Sequence, residues 1–325
     1  MEMELEDIGN TPLLELATLS VNGNRVFSKC EYLNPSGSHK DRTYLNIINK
    51  LEKAGVLKPG MTLIDCSTGN GGAALAWIGR LKGYGVKIFM PEGMTEERKT
   101  QIRTYGADIV ETPKESFLTG AVLQAKAYLS ENSSEEFYYL DQSNSLLNKD
   151  SWRCCGKEIV KQLSAQNIVP DFFVCSIGTG GTFSGIAEVL KQTYSGIKTI
   201  ALEVSNSAPL FAQRNNLAFN HRSHNLMGLG AGVLSANTDS GLVDEIRVID
   251  DVDAWARMKH FIASEKIPIG PTCGANLLMC DEIVQAHKRK NIVTLFFDSS
   301  WKYASRWDGF YPEYSEVRHV AGRNL

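Results

Sequence analysis

No stretch of this 325-residue chain is apolar over the roughly 20 residues that a membrane-spanning helix needs. No charge of one sign dominates: 34 Lys and Arg are set against 37 Asp and Glu, a net charge of −3. Nothing electrostatic therefore favours nucleic acid or an anionic membrane as partner. The acidic start, residues 1–10, lacks the basic and apolar regions of a signal peptide, and the chain is expected to be cytoplasmic. Seven cysteines are scattered without a Cys-x-x-Cys pair, and adjacent Cys154 and Cys155 make neither a usual disulfide nor a zinc site. They are expected as buried small hydrophobes in a reducing compartment. The six histidines show no ligand spacing, and His221 and His224 have no cysteine or acidic neighbours, so no metal is implied. Internal repeats and low-complexity tracts are missing too.

What is present is a composition ordinary for a globular protein, 43% hydrophobic and 22% charged, on a chain long enough for two lobes around a cleft. Apolar, β-branched runs predict strands at 25–29, 61–65, 86–90, 108–111, 137–140, 171–175, 199–204 and 292–297. Helical periods predict helices at 41–53, 72–82, 95–105, 118–130, 149–164, 182–192, 252–265 and 275–288. This alternation predicts an α/β fold of mostly parallel sheets covered by helices. The polar segment 205–239 has no period and is either a loop over a site or a surface excursion.

Four turns carry chemistry-bearing residues. In the run 34–42, Pro35 and Gly37 punctuate the chain before Lys40, and Ser38 or Asp41 can cap the helix that follows. A lysine at a helix start feels the positive end of the peptide dipoles, which favours its neutral, nucleophilic amine. A lone lysine is more often simply solvated. After the second strand, Ser67, Thr68, Gly69 and Asn70 offer a close backbone approach and a helix N-terminus suited to a carboxylate. After another strand, Gly178, Thr179, Gly180, Gly181 and Thr182 form a cradle for one phosphate monoester. Their spacing fits neither the dinucleotide fingerprint nor the nucleoside-triphosphate loop. Thr272, in the turn 270–275, can cap a helix, and 228–232 is a flexible glycine turn.

Together, and in this order, these runs resemble the cysteine synthase and cystathionine β-synthase group of fold-type II pyridoxal phosphate enzymes. The resemblance extends through 8–13, 31–42, 66–72, 90–110, 177–182, 228–232 and 270–275, ending near Asp298. It implies pyridoxal 5'-phosphate in the cleft, bound covalently by Lys40, with Gly178, Thr179, Gly180, Gly181 and Thr182 on its phosphate. Asn70 should meet the ring hydroxyl and Thr272 the ring nitrogen. Ser67, Thr68, Gly69 and Asn70 should hold the substrate carboxylate, helped by Gln142, with Gly228 near the substrate amine. It implies a larger cofactor-anchoring domain, 1–40 and 146–325, and a smaller mobile one, 41–145, in a homodimer. The activity implied is β-replacement or β-elimination on an O-activated L-serine or cysteine-like amino acid, through an aminoacrylate.

The chain departs from that pattern at a few positions. Gly71 stands where a threonine is usual, deleting a hydroxyl expected on the carboxylate. Residues 145–148 replace an asparagine-proline stretch, and His39 precedes the lysine where an apolar residue is common. Trp301 and Lys302 stand in a run that usually reads glutamate-arginine. These changes suggest altered substrates, such as those of a synthase of another β-substituted alanine, for example a diaminopropionate precursor. A catalytically silent cofactor-binding paralogue is the alternative of another class. A nucleotide-binding protein would rest on 178–181 alone.

Overall fold

A computed structural model describes residues 3–230 and 232–308. The chain opens with β1 (Leu13–Glu15) and β2 (Arg25–Cys30), an antiparallel pair. After α1 (Lys40–Lys53) it builds one sheet from β3 (Thr62–Cys66), β4 (Gly85–Pro91), β5 (Asp108–Thr112) and β6 (Phe137–Tyr139). Between these strands lie α2 (Asn70–Lys82), α3 (Glu96–Thr104) and α4 (Phe117–Ser130). This sheet is parallel throughout, in the order β5-β4-β3-β6.

The helix α5 (Leu147–Ser164) leads back to β7 (Phe172–Ser176), α6 (Gly181–Thr193), β8 (Lys198–Val204), α7 (Pro209–Arg214) and β9 (Glu245–Ile249). Then come α8 (Asp251–Glu265), α9 (Pro271–Ala286), β10 (Asn291–Phe296) and a closing 3-10 segment, Ser300–Arg306. The second sheet has six strands in the order β1-β2-β10-β7-β8-β9, parallel except at β1.

Strands covered on both faces need apolar side chains on both. β7, with Phe172, Phe173, Val174 and Cys175 all buried, shows this inside the larger core. On β3 the alternation splits cleanly: Leu63 faces the core under α1 and α2, whereas Ile64 and Cys66 face a separate core under α4. The predicted α/β organisation is therefore present, with element ends shifted by a few residues. β1, β9 and α7 lie outside the predicted set. β9 is a half-exposed edge carrying Glu245 and Arg247, and α7 is only six residues long, so neither shows a clear apolar period. Among the described residues no helix is long and apolar enough to cross a membrane.

Each sheet changes direction once. In the first, β4 and β5 extend to one side of β3 and β6 returns on the other. In the second, β8 and β9 extend from β7, and β10 returns on its opposite side. Ligands in open α/β sheets bind at the carboxyl ends of the strands beside such a switch. Here both switch points open onto the same cleft, because the loops after β3, β6, β7 and β10 all contribute to its walls.

A buried ion cluster fastens α1 beneath that cleft. Glu31, with no exposed surface, accepts from Arg42 Nε at 2.7 Å and Nη2 at 2.9 Å, from Thr11 at 2.6 Å and from Asn34 at 2.9 Å. Arg42 also reaches Glu158 on α5 at 2.7 Å. Burial pushes the Glu31 carboxyl up, but Arg42 and the other donors outweigh it and hold its pKa below the ordinary value. Its stabilising contribution is therefore present above the unfolded-state pKa and is lost as pH falls through the folded-state value. Glu31→Gln leaves buried cationic charge under-compensated and is expected to cost about 3–5 kcal/mol, read from urea unfolding near neutral pH.

Candidate active site

Lys40 is the first residue of α1. Ser38 Oγ accepts from the Lys40 amide at 3.4 Å, but Asp41 does not cap the helix. Its carboxylate turns back to accept from the Ser36 amide at 2.7 Å and from the Ser36 hydroxyl, which fixes the turn that delivers the lysine. Lys40 Nζ lies 3.4 Å from Thr179 Oγ1 across the cleft. Its pKa is lowered from 10.5 to about 8, mainly by burial, with Asp65 acting in the opposite direction. Burial thus adds to the position at a helix start that the sequence indicated.

The run 176–182 bends from β7 into α6 with Gly180 at its N-cap, at φ +77°. A side chain there would drive into Thr238, so glycine alone keeps the backbone close to the cleft. Gly178 packs its Cα face against the Gly228 carbonyl, and Gly181 packs against Asn148. Gly178, Thr179, Gly180 and Thr182 line an inner compartment together with Lys40, Asn70, Gly228 and Thr272. Gly181 contributes the first turn of α6 behind them. Helix starts of this kind favour anions.

Four buried polar atoms on residues lining this compartment have no hydrogen-bond partner among the described residues: Asn70 Oδ1, Thr272 Oγ1, His39 Nδ1 and Asp298 Oδ1. The helix containing Thr272 begins four residues before the predicted start, with Gly270 as N-cap, so the threonine hydroxyl is not spent on capping. Asn70 opens α2 and donates Nδ2 to Asp298 at 2.6 Å.

An outer compartment adjoins the first and is lined by Ser67, Thr68, Gln142 and Gly71. Ser67 Oγ accepts from the amides of Gly69 at 3.0 Å and Gly72 at 2.9 Å, tightening the loop into a helix start. Thr68 Oγ1 donates to the Met227 carbonyl at 2.7 Å, tying this loop to the opposite wall. Gln142 Nε2 donates to the Cys66 carbonyl at 3.1 Å. Gly69 does not line the compartment; its Cα faces the stem of Arg98.

Gly71 is not a gap. A Cβ there would stand 2.8 Å from Gln142 Nε2, 2.9 Å from Ser67 Oγ and 3.0 Å from Tyr44 OH. The space of the missing side chain is already occupied by polar groups, of which Tyr44 donates to Asp65 at 2.9 Å. Burial pushes the Asp65 carboxyl up to about 7, even though Cys66, Tyr44 and Gln142 donate to it.

Several contributors were not singled out from sequence. Asp65 and Tyr44 had no motif to mark them, and neither did Phe117, whose ring stacks on His221 at 5.0 Å beside the outer compartment. His39 was noted only as a departure. It is buried between Trp152 and Phe297, and burial lowers its pKa far below the ordinary value. Trp301 and Lys302, two of the departures from the family pattern, line neither compartment. The seven cysteines are all free, and all but Cys154 are buried.

A depressed lysine, an anion cradle and an unengaged threonine hydroxyl around one cavity define a site for a phosphorylated aldehyde. Residues 5–298 match the family described as pyridoxal-phosphate dependent enzyme. A cysteine synthase of Staphylococcus aureus (strain N315) is 32% identical over 301 residues, covering 92% of this chain and 94% of its own. Among solved structures, a hydrogen sulfide-producing enzyme of Fusobacterium nucleatum superposes with TM-score 0.84 at 30% identity, covering 92% of this chain and 98% of that one. O-ureido-L-serine synthase superposes with TM-score 0.86 at 27% identity, covering 93% and 92%. The chain belongs to the pyridoxal-phosphate dependent enzymes of the cysteine synthase type. Its cofactor is pyridoxal 5'-phosphate. The unpaired Asn70 and Thr272 atoms, the cradle and the Lys40 amine fit that group.

Two outcomes follow from this geometry. Labelling of Lys40 by an aldehyde in cofactor-free protein, trapped by reduction and followed by mass spectrometry, is expected to rise with a midpoint near pH 8 rather than 10.5. The same lowered pKa means that the unfolded chain binds more protons between those values, so this lysine makes stability rise with pH across that window. Gly71→Thr is expected to destabilise the protein by about 1–3 kcal/mol through overpacking and to weaken carboxylate binding, measured by thermal unfolding and substrate titration.

Proposed function

We propose that this chain catalyses β-replacement, or β-elimination, on an O-activated L-serine or a cysteine-like amino acid. The observation that carries the reading is the convergence of the Lys40 amine, Asn70, Thr272 and the 178–182 cradle on one cavity. Lys40 is the catalytic residue. Gly178, Thr179, Gly180, Gly181 and Thr182 hold the phosphate, Asn70 the ring hydroxyl and Thr272 the ring nitrogen. Ser67, Thr68, Gly69 and Asn70, with Gln142, hold the substrate carboxylate, and Gly228 lies beside its amine.

When bound, pyridoxal phosphate supplies an aldehyde for the amine and a conjugated ring that withdraws electrons from Cα. The Lys40 amine, with a pKa near 8, is a base of suitable strength for the Cα proton close to neutral pH. Thr272 offers a neutral hydroxyl and no carboxylate to the ring nitrogen, so it does not stabilise a protonated ring. That environment favours prompt loss of a β-leaving group over a long-lived carbanion. The 67–70 loop, closed against Met227, orients the carboxylate and limits water near Cβ.

Residues 41–145, built on the four-stranded sheet, form the smaller mobile domain in this reading, and 1–40 with 146–325 form the anchoring one. The protein is a cytoplasmic homodimer; free cysteines accord with a reducing compartment and the family resemblance with the dimer. The polar packing that fills the Gly71 space favours a product other than cysteine as the second reading. Purified protein is expected to show a visible absorption band that changes on adding O-acetyl-L-serine, and Lys40→Ala should lose both features. A chain that takes up pyridoxal phosphate yet responds to no O-activated serine, phosphoserine included, contradicts the proposed reaction.

A further inference from the structure

Arg98 was not placed in the site by its sequence context, yet it stands directly behind the 67–70 loop. It lies on α3, beside the four-stranded sheet, and has no exposed surface. Gly69 adopts φ +146° and faces the arginine so closely that a Cβ would fall 2.1 Å from Arg98 Cδ. Arg98 Nη1 donates to the Thr68 carbonyl at 3.3 Å. Nη2 lies 3.6 Å from Asp298 Oδ2, and the guanidinium sits 4.2 Å over the ring of Tyr303.

Asp298 follows β10, on the other sheet, and lines the inner compartment. Its Oδ2 accepts from Asn70 at 2.6 Å and from Tyr303 OH at 2.7 Å. One buried ion pair therefore grips both ends of the loop, Thr68 through Arg98 and Asn70 through Asp298. The 3-10 segment Ser300–Arg306 reinforces the grip from the larger sheet. Lys302 Nζ donates to Gln101 at 2.6 Å, its carbonyl accepts from Thr95 at 2.7 Å, and Ser305 reaches Glu97 at 2.6 and 2.7 Å. Every one of those partners lies on α3 or at its N-cap.

We propose that Arg98 and Asp298 are positioning residues that clamp the 67–70 loop across the two sheets, setting the amides that receive the substrate carboxylate and the side chain that meets the cofactor ring. The proposal rests on the reaction class given above. Arg98 presents a planar fork whose Nη1 donates to the Thr68 carbonyl, while its charge lies at ion-pair distance from the Asp298 carboxylate with no hydrogen bond between them. A lysine supplies the charge without the fork. Asp298 makes the arginine tolerable in the interior, where the guanidinium alone would be uncompensated.

The test uses cofactor-loaded protein in four forms: wild type, Arg98→Lys, Asp298→Asn, and the double replacement Arg98→Met with Asp298→Leu. The double form removes both charges, so its folding does not suffer from a lone buried ion. Hydrogen exchange at the amides of residues 67–72 is expected to be roughly tenfold faster in all three variants, with exchange in β7 and α6 unchanged. The O-acetyl-L-serine concentration giving the half-maximal spectral change is expected to rise about tenfold, more than the rate at saturation falls. In Asp298→Asn the absorption maximum without substrate is expected to move, because Asn70 loses its charged anchor. Unchanged local exchange with only a lower melting temperature would overturn the clamp. If the wild type itself answers no O-activated serine, the reaction reading fails, while the exchange measurement still decides the clamp.

Discussion

A lysine amine that releases its proton more readily than usual must be kept at the floor of a polar cleft, and much of the surrounding structure serves that constraint. Burial lowers the amine's proton affinity, but burial of polar groups is tolerated only when their hydrogen bonds are met. Here the requirement is met by moving charge one step away. Asp41 turns to Ser36, Arg42 and Glu31 pair beneath α1, and Asp65 is covered by Tyr44 and backbone donors. Among the described residues Lys40 Nζ keeps one long hydrogen bond, to Thr179, beside the charge of Asp65. Its immediate sequence neighbours are thus occupied with structural partners, and its amine remains available for an aldehyde.

The arrangement of the sheets explains why one cavity can be both a cofactor site and a substrate site. A helix N-terminus binds one anion, and this reaction presents two, a phosphate and a carboxylate. Two parallel sheets whose switch points face each other supply two such termini, at α6 and α2. In the proposed assignment the phosphate cradle and the carboxylate loop therefore belong to different sheets, and Lys40 comes from the chain that connects them. Contacts that cross between the sheets, such as Thr68 with Met227 and Asn70 with Asp298, set the spacing between the two proposed anion sites.

The sequence carried the parts of this design that are local. The turns around Lys40, Gly178–Thr182 and Ser67–Asn70 could be read directly, because strand, glycine-rich bend and helix follow one another within a few residues. The alternation of eight strands and eight helices gave the fold class. What could not be read depends on distance along the chain. Arg98 and Asp298 are 200 residues apart, and neither sits in a motif whose spacing announces an ion pair. Tyr44 and Gln142 occupy the space beside Gly71 from two separate elements, so the glycine looked like a deletion when it is a fitted surface. The helix start that Lys40 occupies is visible in sequence, while the burial that lowers its pKa is not.

The departures from the family's usual pattern now separate into two kinds. Gly71 lies on the wall that a substrate would touch, and its surroundings of hydroxyl and amide groups bear on which amino acid is accepted. Trp301 and Lys302 line neither compartment of the site, and Trp301 instead borders an outer groove with Pro35, Gly37 and Tyr105. Lys302 is wholly buried and binds the Ser36 carbonyl at 2.8 Å as well as Gln101, with its ammonium 4.8 Å from the Trp301 ring. The same lysine therefore joins the turn that delivers Lys40 to the helix that backs the substrate loop. Burial lowers its pKa as well, and it is held by neutral acceptors along with the nearby charges of Asp298 and Asp41. A side chain shorter than arginine at this position can reach both partners while leaving its ammonium over the tryptophan. The unusual pair is better understood as an internal strap between the two sheets than as a change in specificity, and the search for the substrate belongs on the wall around Gly71, Gln142 and Phe117.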